Sequence, residues 1–139
     1  MNRVRVRPAR GALVTAAATA VCHSVLSLGY AWARAADADS GGAAFGGIVE
    51  FGATTLTSWA LMPLLLWAGM RLLREHGTVL LTVVGALAWF LLSGYFMDDV
   101  DSAGGHVPPA ALAAYVLLGA ALAVPGTAAP ARRPARPRS

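Results

Sequence analysis

An all-α fold is predicted for this sequence: an integral membrane four-helix bundle of antiparallel up-and-down spans, with both termini cytoplasmic. Three observations predict it. Four apolar runs lie at about 11–33, 56–73, 78–97 and 107–124, each near the roughly 20 residues a helix needs to cross the hydrocarbon core. The charge between the runs alternates in sign. Ten of the 11 basic residues sit in the two tails and the middle connection, and six of the seven acidic residues sit in the other two connections. The chain is also 57% hydrophobic with only 13% charged residues, against about 25% charged in a soluble domain. Basic residues are retained on the cytoplasmic side, so the charge pattern orients the spans.

Residues 1–10 carry four Arg and no acid and form a basic cytoplasmic tail. The first span, 11–33, ends in Tyr30 and Trp32, rings that favour the headgroup level. Arg34 follows and is expected to snorkel outward and pair with Asp37. Ala31-Trp32-Ala33 and Ala33-Arg34-Ala35 resemble signal-peptidase sites, but the apolar stretch exceeds the usual 7–15 residues, which favours an uncleaved span. The first outer connection holds Asp37, Asp39 and Glu50 among glycines, and its second half, 45–51, is apolar enough to lie in the interface.

The second span, 56–73, contains Pro63, which removes a backbone donor and kinks a helix. Arg71, Arg74, Glu75, His76 and Gly77 make a short, net basic inner turn, so spans two and three are antiparallel neighbours. The third span, 78–97, exits at Tyr95-Phe96-Met97 into an outer loop with Asp98, Asp99 and Asp101. Pro108-Pro109 suits the first turn of the fourth span, 107–124, where a missing N–H costs nothing. Residues 125–139 form an Arg- and Pro-rich tail predicted to be disordered and cytoplasmic.

Every basic residue is Arg, and Ala, Gly and Pro are abundant, which fits high-GC coding and a bacterial source. The sequence pI near 10.2 does not indicate nucleic-acid binding. The basic residues flank spans, where topology and anionic lipid account for them, and no recognition motif accompanies them. The one cysteine, Cys22, can form neither an internal disulfide nor a CxxC redox pair.

Three groups of residues are candidate sites. Thr15, Thr19, His23 and Ser27 recur every fourth residue and line one face of the first helix. An ionisable group at that depth is costly and often functional. The seam is either a path for protons or solutes or a helix–helix contact whose polar groups bond across it. Ala12, Ala16, Ala20 and Ser24 form a small-residue strip beside it.

The second group is the outer acidic cluster Asp98, Asp99 and Asp101. Its surroundings resemble the first outer loop: Asp37-Ala38-Asp39-Ser40-Gly41-Gly42 is similar to Asp99-Val100-Asp101-Ser102-Ala103-Gly104-Gly105, each after a Gly-Tyr pair, Gly29-Tyr30 and Gly94-Tyr95. The match reflects either two repeated hairpins or the turn chemistry of Asp, Ser and Gly. EF-hand spacing is absent, and no metal site is expected.

The third group comprises Arg3, Arg5, Arg7, Arg10, Arg132, Arg133, Arg136 and Arg138, candidate contacts for anionic headgroups at the cytoplasmic face.

No phosphate loop, zinc-binding helix, serine elbow or catalytic carboxylate pair is present, so no enzyme, catalytic residue or cofactor is expected. The layout, an Arg-rich head, an Asp/Gly outer loop, a Pro-bearing second span and an Arg/Pro tail, resembles uncharacterised small four-span membrane proteins of high-GC bacteria. That resemblance covers the whole chain and implies no activity. Small multidrug-resistance transporters also have four short spans, but they carry a glutamate inside the first, where this chain has Cys22 and His23.

The expected role is a non-enzymatic accessory, assembly or interaction component of the cell membrane. Its expected partners are lipid and a homo-oligomer or membrane protein. The alternatives are a small transporter or channel subunit using the span-one seam, and an envelope sensor using the acidic outer loops.

Overall fold

Runs rich in Leu, Ala and Val without polar–apolar alternation favour helix over strand. The computed structural model describes residues 3–41, 45–75, 79–102 and 104–124, with side chains from Val6 onward. Among the described residues there is no strand. Five helices follow in order: α1 (Arg3–Asp39), α2 (Ile48–Leu72), α3 (Val79–Tyr95), α4 (Met97–Asp101) and α5 (Pro109–Leu122).

The helices depart from the expected spans in ways that local chemistry explains. α1 begins at Arg3 and ends at Asp39, so the described part of the basic tail and the start of the first outer connection are helical. Ala35, Ala36 and Ala38 have high helix propensity and carry the helix onward. It stops at Ser40, whose hydroxyl bonds the Asp37 carbonyl at 2.6 Å, followed by left-handed Gly41. α2 begins at Ile48, well before the expected residue 56. Gly47 enters it in the left-handed conformation, and Glu50 lies in the first turn, where the helix dipole favours an acid. α2 continues through Pro63 as one helix.

The third run divides. α3 ends at Tyr95, Phe96 makes a turn, and α4 takes up Asp98, Asp99 and Asp101. The outer acids therefore stand on a helical turn and not in an open loop.

α2 ends in a Schellman motif: Glu75 N–H bonds Met70 O and Arg74 N–H bonds Arg71 O, both at 3.0 Å. The left-handed position, usually glycine, is Arg74 at φ 56°.

α1 packs on α2, α2 on α3, α3 on α5 and α5 on α1, while α1/α3 and α2/α5 lie on diagonals. Facing residues run in opposite order: Tyr30 meets Thr55 and Cys22 meets Ser58 between α1 and α2. Ser58 meets Trp89 and Leu66 meets Gly85 between α2 and α3. Gly11 meets Ala123 and Thr15 meets Gly119 between α1 and the α5 end. The long helices thus form a four-membered antiparallel ring.

The core is narrow. α2 buries Thr54, Ser58, Met62, Leu66 and Met70, and α3 buries Leu81, Gly85, Trp89 and Ser93. Each set is one ridge of every fourth residue. α1 packs against α2, α5 and α4 and buries two ridges. Val14, Ala18, Cys22, Leu26 and Tyr30 face α2, while Gly11, Thr15 and Thr19 continue toward α5.

Helix length separates the elements. The described part of α1 from Val6 and all of α2 are long and apolar enough to cross a membrane. α3 and α5 are apolar but have 17 and 14 residues, about 25 and 21 Å against a hydrocarbon core of about 30 Å. Pro108-Pro109 and the Phe96 turn set these shorter limits.

Candidate functional site

The seam residues Thr15, Thr19, His23 and Ser27 do share one face of α1, and that face continues the ridge that meets α5. Thr15 and Thr19 are buried; His23 and Ser27 are half-buried. The register explains the gradient. With Gly11 against Ala123 and Thr15 against Gly119, the first turn of α5 lies near the level of His23 to Leu26. The upper half of the ridge runs past the end of its partner helix.

Bonding along the seam is sparse. Thr19 Oγ1 donates to Thr15 O at 2.7 Å, a bond within the helix itself. Thr15 Oγ1 and His23 Nδ1 are buried without a hydrogen-bond partner. A Cβ on Gly119 would collide with the Thr15 side chain, so the glycine is what lets α5 approach.

A second polar set lies on the other side of α1 and on α2, α3 and α5. Tyr30 OH and Thr55 Oγ1 are 2.8 Å apart, and Thr55 Oγ1 also donates to Phe51 O at 2.9 Å. The Tyr30 ring stacks on Phe51 with centroids 4.5 Å apart. Cys22 Sγ donates to Ser58 O at 3.7 Å, and Trp89 Nε1 donates to Ser58 Oγ at 3.1 Å. Trp59 Nε1 donates to Ser93 Oγ at 3.0 Å, and Tyr115 OH donates to Gly85 O at 2.9 Å. These bonds join α1 to α2, α2 to α3 and α3 to α5. Sequence reasoning missed this belt. Ser58 and Ser93 stand inside apolar runs as visibly as His23 does, and that was the available signal.

At the acidic end, Arg34 Nη1 donates to the Asp101 carbonyl and, at 3.2 Å, to its Oδ1. The expected partner Asp37 is replaced by Asp101, 67 residues away, because α4 lays its C-terminal end beside α1. Val100, 2% exposed, anchors α4 to the core. Asp98 and Asp99 stay exposed. Among the described residues no three His, Cys, Asp or Glu side chains converge on a metal-sized point. Ser102 Oγ donates to Asp99 O at 2.7 Å, as Ser40 does to Asp37 O. The two similar outer segments therefore share one bond at the helix end, from a serine hydroxyl to the aspartate carbonyl three residues earlier.

At the basic end, two residues expected to touch headgroups close on Glu75. Arg10 Nη1 lies 2.7 Å from Glu75 Oε1 and Arg7 Nε lies 3.4 Å from Oε2. The Schellman turn brings Glu75 back over the start of α1. The side chains of Arg3 and Arg5 lie outside the described residues, as do Arg132, Arg133, Arg136 and Arg138.

Comparison of the chain with protein-family models, curated proteins and solved structures finds no match. The structure defines the class, an all-helical chain with two helices long and apolar enough to cross a membrane.

Proposed function

We propose that this chain is a four-span integral protein of the cell membrane, with both termini cytoplasmic. It acts through contacts of its helix faces as an accessory, assembly or interaction component. The polarity of the bundle is the observation that carries this reading. Thr15, Thr19, Thr54, Thr55, Ser58 and Ser93 are buried, while Leu13, Leu28, Leu56, Leu87, Leu91 and Leu117 are more than half exposed. Water would oppose that arrangement, and lipid favours it, because the exterior must be apolar and the interior supplies hydrogen bonds.

Depth agrees. From Arg10 to Tyr30 on α1 is about 30 Å, the thickness of the hydrocarbon core. Most of the polar belt is engaged in bonds between helices, a structural use. The test is carbonate extraction of membranes with reporters fused to each end. Retention in the membrane with both reporters cytoplasmic is expected, and release into the soluble fraction would end this reading.

A transporter or channel subunit is the second reading, and one observation favours it. Thr15 Oγ1 and His23 Nδ1 are buried and unpartnered on a single face of α1. Flux in reconstituted vesicles that His23→Ala abolishes would promote it, whereas flux equal to that of empty vesicles would remove it.

A further inference from the structure

Near the arginine-rich end an outward-open groove of about 350 Å³ runs between α1 and α2. Leu13, Ala17 and Val21 form one wall, and Leu65, Ala68 and Leu72 the other. The groove exists because the helices approach closely at its floor while alanine leaves its walls low. A Cβ on Gly69 would lie 2.6 Å from Val14 Cγ1. From Leu13 to Val21 the groove rises about 12 Å, close to the roughly 15 Å of one leaflet.

The mouth is cationic. Arg10 stands one turn before Leu13 on the same face of α1, and its side chain is still 44% exposed beside Glu75. Arg71 lies over the Trp67 ring, 5.2 Å from its centroid, next to the wall residue Leu72, and exposed Arg74 follows. Glu75 is the one acid at this end and pairs with Arg7 and Arg10, so that Arg71 and Arg74 leave this end net basic. The other six acids stand at the opposite end of the bundle. A second copy in the same orientation would bring arginines to these arginines, so charge disfavours it as the occupant.

We propose that this groove seats one acyl chain of an anionic phospholipid, whose phosphate is held at the mouth by Arg10 and Arg71. The assignment rests on the membrane reading above and names a lipid partner for one face of it. Apolar walls of one-leaflet length with a cationic mouth match an amphiphile carrying negative charge, and neither half of the site alone requires one.

The test uses the full chain in mild detergent. It is titrated with phosphatidylglycerol or with phosphatidylcholine of identical chains, and bound lipid is counted by native mass spectrometry. Phosphatidylglycerol is expected to bind about 25-fold more tightly, about fivefold for each arginine near an anionic group. Arg10→Gln with Arg71→Gln should abolish that preference and leave phosphatidylcholine unchanged. Ala17→Phe, a substitution at an exposed position, should fill the groove and weaken both lipids. Equal binding of the two lipids by the wild-type chain would overturn the assignment. Phosphatidylglycerol binding that survives both kinds of substitution, or a dimer that excludes lipid, would do the same. A chain that stays soluble without detergent would instead overturn the membrane reading, which separates the two failures.

Discussion

The two ridges of α1 both carry polar groups, Cys22 and Tyr30 on one and Thr15, Thr19, His23 and Ser27 on the other, and they meet different fates. The ridge through Cys22 and Tyr30 faces α2, a 25-residue helix, and finds partners at Ser58 and Thr55. The ridge through Thr15, Thr19 and His23 faces α5, a 14-residue helix, and leaves Thr15 Oγ1 and His23 Nδ1 without partners. Both ridges rely on glycine for close approach, Gly29 against Thr54 on one side and Gly119 against Thr15 on the other. The difference lies in what each partner helix presents. α2 offers Thr54, Thr55 and Ser58 beside Gly29, Tyr30 and Cys22, whereas α5 offers Gly119 beside Thr15 and begins near the level of His23.

The largest expected effect tests the glycine side of that comparison. Gly119→Val should destabilise the bundle by about 3 kcal/mol, because its side chain would enter the space of Thr15. Thermal unfolding in detergent would show it, with Gly52→Ala as the control, since nothing lies within 4 Å of a Cβ there. A Gly119→Val variant as stable as the control would mean that α5 does not dock on α1 as described.

Ser58→Ala tests the satisfied ridge and its neighbours. It leaves Trp89 Nε1, donor to Ser58 Oγ, buried without an acceptor, and a loss of about 2 kcal/mol is expected in the same assay. Tyr30→Phe removes the bond to Thr55 and retains the stacking on Phe51. Thr55 keeps its bond to Phe51 O, so the expected loss is only about 1 kcal/mol. If Tyr30→Phe cost as much as Ser58→Ala, the belt would be a coupled network and not a set of separate bonds.

Arg74→Gly relieves a left-handed arginine and should stabilise the chain by about 1 kcal/mol, measured as a raised unfolding midpoint. The smallest effect belongs to the unsatisfied ridge. Thr15→Val removes a hydroxyl that bonds nothing, so stability should stay within about 0.5 kcal/mol or rise. A loss of about 2 kcal/mol would show that the hydroxyl has a partner, and the contrast between the ridges would fail.

Much of the fold was legible because it is local. The four apolar runs mark the long helices, Ser40-Gly41 stops α1, and Pro108-Pro109 opens α5. The lower seam was legible too, since fourfold spacing places Thr15 and Thr19 on one face whatever surrounds them. The early start of α2 was not, because glycines around 46–47 read equally well as loop or as entry to a helix. Likewise Tyr95-Phe96-Met97 looks continuous, and the turn at Phe96 exists because Val100 of α4 gains a buried place against the bundle.

What the sequence determined by itself is helix, apolar character and the sorting of charge along the chain, because propensity, hydrophobicity and stop signals act over a few residues. Pairing was decided only in three dimensions. Arg34 reaches Asp101 across 67 positions and Arg10 reaches Glu75 across 65. Those choices, and the exposure of His23, depend on the register and length of a second helix far along the chain, which no local pattern encodes.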